Sequence, residues 1–356
     1  MTKVSFYDII VVEKREFRGD TMQLQVPNLA ANDEFSKLSA IDLLLLSQEL
    51  DSIFLEYRDS LNLERKVRFG IELEYEGVER KDFTDFLRKQ KLNWKSVDDE
   101  TLISGGEAVS PQLFDQRKTW ENLQAICEYL KLKKADTRHN AGLHIHVGAH
   151  LLGENIDAWR KFAKIYTIYE RVLIRFGFGD KINARSTLFS YAKPVGLQFL
   201  ASVSDLDEHR SLATNRRFFK QIYDVKKNAI NLRCLDFLSA IVNMNTLEFR
   251  NFNSTTEETI IQNDVNAVCH LLLAAASKNL DEDFLDYKLN QLKNYFSSEK
   301  AYLEQCSQIL LREMAELVDI LFDNNQDKIY FMRQYIKGFE SCADSEVKMA
   351  KELVKK

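Results

Sequence analysis

Three short segments of this chain carry residues that bind metal ions and anions, spaced two apart. They are Phe69-Gly70-Ile71-Glu72-Leu73-Glu74-Tyr75, Gly142-Leu143-His144-Ile145-His146-Val147-Gly148 and Thr246-Leu247-Glu248-Phe249-Arg250-Asn251-Phe252. A β-strand sends alternate side chains to opposite faces, with same-face neighbours about 6.6–7 Å apart. Each segment can therefore bury one apolar face and present a reactive pair on the other. If the three strands share a sheet, Glu72, Glu74, His144, His146, Glu248 and Arg250 line one surface.

Each pair also has an ordinary reading. A lone Glu-x-Glu is the wet face of an edge strand, and Glu248 with Arg250 is a surface ion pair of little energetic weight. The flanks argue otherwise. Glu76 makes the first strand acidic at three successive same-face positions. Two carboxylates 4 Å apart repel by about 4 kcal/mol at an effective dielectric of 20, so a bound cation is the simplest reason to gather them. Four of the six histidines fall between His139 and His150, and Gly142 and Gly148 bracket their strand. Glu107, in Gly105-Gly106-Glu107-Ala108-Val109-Ser110-Pro111, is a further acidic candidate. Carboxylates in this number suit Mg²⁺, and a histidine among them extends the choice to Mn²⁺. Two such ions with an arginine meet the needs of phosphoryl transfer. The chain has no Walker A sequence and no GxGxxG, so a nucleotide would have to bind in another mode.

These strands need elements to hold them. Val4–Val12 and Met22–Val26 read as strands, and residues 34–60 as an amphipathic helix with Leu38, Ile41, Leu45, Leu50, Ile53 and Phe54 inward. Beyond Val67, strands alternate with helices. Strands are expected at Val67–Glu76, Trp94–Val97, Thr101–Val109, Leu143–Val147, Ala229–Leu232 and Thr246–Phe252. Helices are expected at Lys81–Gln90, Asp115–Lys133, Asp157–Phe176 and 208–224, with an irregular stretch over Gly177–Gly196. Thr255 or Thr256 is positioned to cap the next helix, and the pattern stays helical to Lys356 with breaks near 281, 297 and 325. This is an α+β layout: an antiparallel or mixed sheet with helices on one face, then a helical C-terminal region.

Composition bounds the class. A chain of 356 residues, 45% hydrophobic and 29% charged, is that of a globular protein with a substantial core. A formal charge of −5 excludes broad nucleic-acid affinity, and no apolar run approaches the ~20 residues of a membrane span. The five scattered cysteines offer neither a disulfide framework nor a Cys-based zinc site, and no signal-peptide layout opens the chain, so the expected compartment is the cytoplasm.

In order, FGIELEY, GGEAVSP, GLHIHVG and TLEFRNFN resemble the amidoligase family, carboxylate–amine ligases related to glutamine synthetase and glutamate–cysteine ligase. The resemblance spans about Val67 to Ser277. It implies a glutamine-synthetase-like sheet with helices on its convex face, and two or three divalent ions held between ATP and the acceptor. It implies Glu72, Glu74, Glu107, His144 and Glu248 as ligands to Mg²⁺ or Mn²⁺. By the same likeness, His146 sits nearer the nucleotide or substrate and Arg250 contacts phosphate. Asn231 matches a recurrent asparagine, Asp99 an acidic residue before a turn, and Arg185 with Tyr191 an active-site loop pair. The domain plan is 1–66 packing on the core, 67–278 catalytic and 279–356 helical.

The implied chemistry is ATP-dependent amide or peptide bond formation through an acyl phosphate. Its substrates are an amine and a carboxylate, each a small molecule or a peptide, and the motifs encode neither; the oligomeric state is equally open. Two rivals remain at this point. A binuclear amidohydrolase would use the His-x-His strand but needs further histidines, for which only His150, His209 and His270 follow. An inactive relative would keep the sheet to bind a peptide.

Overall fold

The computed structural model describes residues 38–46 and 54–337, apart from 103, 138–139, 154–155, 180–187, 203–226, 233–244, 294, 297 and 307. The expected strands at Val4–Val12 and Met22–Val26 and the helix over 208–224 lie outside the described residues.

Among the described residues, six strands form one sheet. They are β1 (Phe69–Glu76), β2 (Lys95–Val97), β3 (Gly105–Val109), β4 (Gly142–Gly148), β5 (Ile230–Asn231) and β6 (Thr246–Asn253). Their order is β2-β3-β1-β4-β6-β5, and every pairing is antiparallel. The alternation in sequence decides which face is buried. Phe69, Ile71, Leu73 and Tyr75 of β1, with Leu143, Ile145 and Val147 of β4 and Leu247 and Phe249 of β6, are almost fully excluded from solvent on the helix side.

Helices α1 (Ala40–Leu46), α2 (Arg80–Lys89), α3 (Arg117–Leu132) and α4 (Ile156–Phe178) include three that pack on that side. Phe83 and Leu87 of α2 are one turn apart and buried, with Phe83 against Tyr75 at 4.9 Å between ring centroids. On α3, Trp120, Leu123, Ile126, Cys127 and Leu130 make the apolar stripe, and Trp120 stacks on Phe69. The short α5 (Leu188–Tyr191) and α6 (Gly196–Ser202) follow, then α7 (Glu258–Ala276), α8 (Glu282–Lys293), α9 (Glu299–Cys306), α10 (Leu311–Leu321) and α11 (Asn325–Lys337). One contiguous apolar core runs from Ala40 through the sheet to Tyr335, so the C-terminal helices and the sheet share it. No helix among the described residues is long and apolar enough to cross a membrane.

Helix α4 lies between β6 and the C-terminal helices and is buried almost throughout. Its close seat on β6 needs Gly177, where an added Cβ would meet the Asn251 carbonyl oxygen at 1.9 Å. A β-bulge between Leu143 and Ile145 sets one residue of β4 against two of β6. It sends Asn251 to the helix side, where its amide donates to Leu173 O at 3.0 Å.

Three sequence expectations change. Residues 54–60 are not helical, and Ile41 and Phe54 are 45% and 47% exposed, because Ala40 and Leu43 are the residues of α1 that meet the core. The N-cap of α7 is Glu257, whose N–H is accepted by Thr255 Oγ1, so the threonine stabilises the turn before the helix. The stretch over Gly177–Gly196, expected to be irregular, contains the short helix α5 and ends where α6 begins.

Candidate metal centre

Strand register builds the site. Glu72 lies opposite His144, Glu74 opposite Glu107, His146 opposite Glu248, and Asn231 opposite Glu248 from the far side. All of these side chains stand on the face away from the helices. His144 is the hub: Nδ1 lies 3.3 Å from Glu72 Oε2, 3.7 Å from Glu107 Oε1 and 3.8 Å from Glu248 Oε1, and Nε2 lies 3.6 Å from Glu74 Oε1. His146 Nε2 lies 3.1 Å from Glu72 Oε1.

Two groups of three could each hold a metal ion: Glu72, Glu107 and His144, and Glu72, His146 and Glu248. Glu72 belongs to both. Glu74 belongs to neither; its Oε2 accepts the Gly142 N–H at 2.6 Å. A Cβ on Gly142 would sit 3.4 Å from that same oxygen, so the glycine lets the carboxylate close on the backbone. Arg250 Nη1 donates to Glu248 Oε1 at 2.5 Å and lies 3.4 Å from His144 Nδ1. Asn231 Nδ2 donates to Glu248 Oε2 at 2.6 Å.

The protonation balance follows from this crowding. Burial opposes ionisation of Glu72, but hydrogen bonds and charge from His144 and His146 outweigh it and hold its carboxyl well below the usual range. Burial would depress His144, yet hydrogen bonds to Glu107 and Glu72 lift it to about 9. Glu74 is pushed up, chiefly by burial. Four carboxylates, two imidazoles and one guanidinium thus share a buried patch, and this oxygen-rich donor set fits hard divalent ions. Among the described residues the free cysteines 127, 269 and 306 are buried in helices and belong to neither group.

The six residues expected to converge are brought together, along with Glu107 and Asn231. Asp99 caps a turn by accepting the N–H and hydroxyl of Thr101 at 2.7 and 2.6 Å, and lies near enough to Glu74 for its charge to help raise that carboxyl. Others are not brought in. Tyr191 is 46% exposed, with Lys227 over its ring, and Arg185 lies outside the described residues. His150 Nε2 donates to the Lys66 carbonyl, and His270 packs on Phe322, so neither joins His144 and His146. Two partners escaped the sequence reading. Thr246 Oγ1 lies 3.0 Å from His146 Nδ1, and Asn140 Nδ2 donates to Glu76 at 3.2 Å. Each sits two residues before a named site residue or glycine, so the same alternation that marks the ligands could have found them.

A family model described as "Putative amidoligase enzyme" matches residues 83–271, just over half of the chain. The chain belongs to the amidoligase family. The match takes in Glu107, His144, His146, Asn231, Glu248 and Arg250 but begins after β1, so it is the pairing of β1 between β3 and β4 that adds Glu72 and Glu74. A solved structure described as a novel glutamine synthase homolog is 11% identical to this amidoligase-family chain. The likeness has a TM-score of 0.40 and covers 76% of this chain and 66% of the other, so the chain spans slightly under two thirds of that protein's length. Comparison with curated proteins returns no match.

Proposed function

We propose that this protein is an ATP- and divalent-metal-dependent carboxylate–amine ligase. The observation that carries the reading is the pair of three-ligand groups sharing Glu72, set beside Arg250 on one sheet face. Glu72, Glu107 and His144 would hold one Mg²⁺ or Mn²⁺, and Glu72, His146 and Glu248 a second. When bound, such ions neutralise phosphoryl oxygens and polarise the γ-phosphorus.

The chain's own residues do the rest. Arg250 holds Glu248 and directs a guanidinium toward the phosphate-binding side. Asn231 fixes the other Glu248 oxygen, and Thr246 fixes the His146 ring, so both ligands are oriented from behind. A substrate carboxylate oxygen attacks the γ-phosphorus and the bond to ADP breaks. The amine nitrogen then attacks the acyl carbon, the C–O bond to phosphate breaks, and the amine gives up a proton. Glu74, 3.6 Å from His144 Nε2, would add a further carboxylate to the ions' surroundings, and His146 would be the ligand nearest the nucleotide or substrate.

The test is ADP and phosphate release with Mg²⁺ or Mn²⁺, offered pools of amines and carboxylates. Release that needs both pools and disappears in Glu72→Gln is the expected result. Zinc-dependent amide hydrolysis without ATP would overturn the ligase in favour of a hydrolase, and ATP binding without turnover on any pool would favour a binding module.

A further inference from the structure

The metal-binding face continues beyond the ligands. Arg68, Gly70, Glu72 and Glu74 alternate along one face, and pairing persists past the strand end because the Gly148 N–H donates to Arg68 O at 2.9 Å. A cavity of about 410 Å³ opens here, with Glu72 and His146 at one end and Arg68 at the other. Four residues of strand set the two ends about 13 Å apart. Gly70, opposite His146, leaves the floor open, with no side-chain or backbone atom closer than 3.6 Å to where a Cβ would stand, whereas the His150 ring covers Gly148, opposite Arg68. Ser110, Gln112 and Thr246 add hydroxyl and amide groups to the walls.

Among the described residues, Arg68 is the one arginine or lysine that lines this cavity. Its guanidinium lies over the Phe114 ring, 5.6 Å from the centroid, and no carboxylate among the described residues pairs with it. Stacking fixes the plane of the fork and leaves its in-plane N–H donors for another group. A planar fork matches a carboxylate in a two-point contact. A polyphosphate would call for several cations or a nest of backbone N–H groups, and the cavity sets a single guanidinium against the Glu72 carboxylate, with His146 and His150 as its other nitrogen bases.

Building on the ligase reading, we propose that this cavity binds a substrate through a second carboxylate, one that does not react. Arg68 grips that remote carboxylate, and the reacting end reaches the ligands at Glu72 and His146. The substrate class is therefore an extended acid with two anionic ends or a short peptide with a free C-terminal carboxylate. The open floor over Gly70 gives its backbone room to lie against the sheet. Arg68 then serves as a specificity-determining residue.

The experiment measures binding, so it stands whether or not turnover is found. Ligand-observed NMR is run on the full chain with linear dicarboxylates and N-acetyl dipeptides, each as the free acid and as its terminal amide, and separately with ATP, AMP and inorganic phosphate. Free acids are expected to bind, and amidation is expected to weaken them about tenfold or more, the scale of a charged hydrogen bond. Arg68→Met should weaken the same acids equally and leave ATP within about twofold. Arg68→Lys should recover part of the loss, and Gly70→Val should block the acids by filling the floor. If Arg68→Met weakens ATP, AMP or phosphate and spares the acids, the cavity belongs to the nucleotide and the proposal fails. It fails as well if no acid binds the folded wild type. Acid binding that survives without any ADP release would instead count against the ligase reading alone.

Discussion

Two buried groups of charge in this molecule look alike in composition and differ in balance. On α4, Glu170 is fully buried and accepts from Val195 N–H at 2.7 Å, Gly196 N–H at 2.5 Å and Tyr302 hydroxyl at 2.6 Å. One carboxylate there has three donors from its own fold, two of them the backbone at the start of α6. On the sheet, Glu72, Glu74, Glu107 and Glu248 share two imidazoles, one guanidinium, one amide and one backbone N–H. The helix carboxylate has three donors to itself, while among the described residues the four sheet carboxylates share those five donor groups. Counting donors per carboxylate, rather than burial alone, separates a structural group from one built to bind a cation.

The largest effect that would break this contrast comes from the shared ligand. Glu72→Gln is expected to cut turnover by about 10³-fold or more, equivalent to about 4 kcal/mol of barrier. It should weaken both Mn²⁺ ions seen by electron paramagnetic resonance, whereas Glu107→Gln and Glu248→Gln should each weaken one. Loss of a single ion in Glu72→Gln would separate the two groups and remove the bridging role. Glu170→Ala is expected to behave in the opposite way. Three donors lose their acceptor, so stability should fall by about 3–5 kcal/mol in urea titrations, with Mn²⁺ stoichiometry unchanged in the folded fraction. A Glu170→Ala chain that lost metal affinity while keeping its stability would erase the distinction.

Much of this contrast was legible in the sequence, on one side only. The sheet ligands follow strand alternation, a period of two that survives without knowing the partner strand, so the order of Glu72, Glu74, His144, His146 and Glu248 already put them on one face. The grouping was not legible. His146 joins Glu72 and Glu248 because antiparallel register sets it opposite Glu248, and register depends on turns and the bulge at His144, which local pattern does not encode. Glu74 appeared equivalent to Glu72 and differs because Gly142 is within reach of it. Glu170 carried no signal at all: inside a helical pattern it looks like any solvated glutamate, and its donors come from residues 25, 26 and 132 positions away. Residues 54–60 failed for a related reason, since the contacts that fix them, Arg58 with Asp327 and Gln262 and the 61–63 backbone with Asp115, are distant in sequence.

A smaller change sharpens the comparison within the sheet itself. Burial raises the Glu74 carboxyl above its ordinary value, so its charge is disfavoured in the folded state at neutral pH. Glutamine keeps an oxygen to accept the Gly142 N–H and removes the charge. In EDTA, Glu74→Gln is therefore expected to raise Tm by about 2 °C, on the order of 1 kcal/mol for a chain of this length. A fall in Tm would mean that Glu74 is a satisfied group like Glu170 and not part of the crowd.

The smallest effect concerns a pair that the fold balances at its edge. Arg160 and Lys164 of α4 reach Glu282 at the start of α8, with Nε and Nζ at 2.8 and 2.7 Å from the same oxygen, and Lys164 also meets Asp286 at 2.6 Å. Burial opposes ionisation of Glu282, but the hydrogen bonds and charge of Arg160 and Lys164 prevail and lower its pKa from 4.5 to about 2. The folded carboxyl thus binds protons less readily than the unfolded one. Its contribution to stability is complete above pH 4.5 and is lost as pH falls toward 2. Partial exposure screens the pair, so Glu282→Gln should cost only about 1 kcal/mol at pH 7. The gap between wild type and Glu282→Gln in urea titrations should close as pH drops through that window. A gap that instead stays constant down to pH 2 would place the cost in packing, and the two cations of α4 would then be held mainly by Asp286 and Asp157.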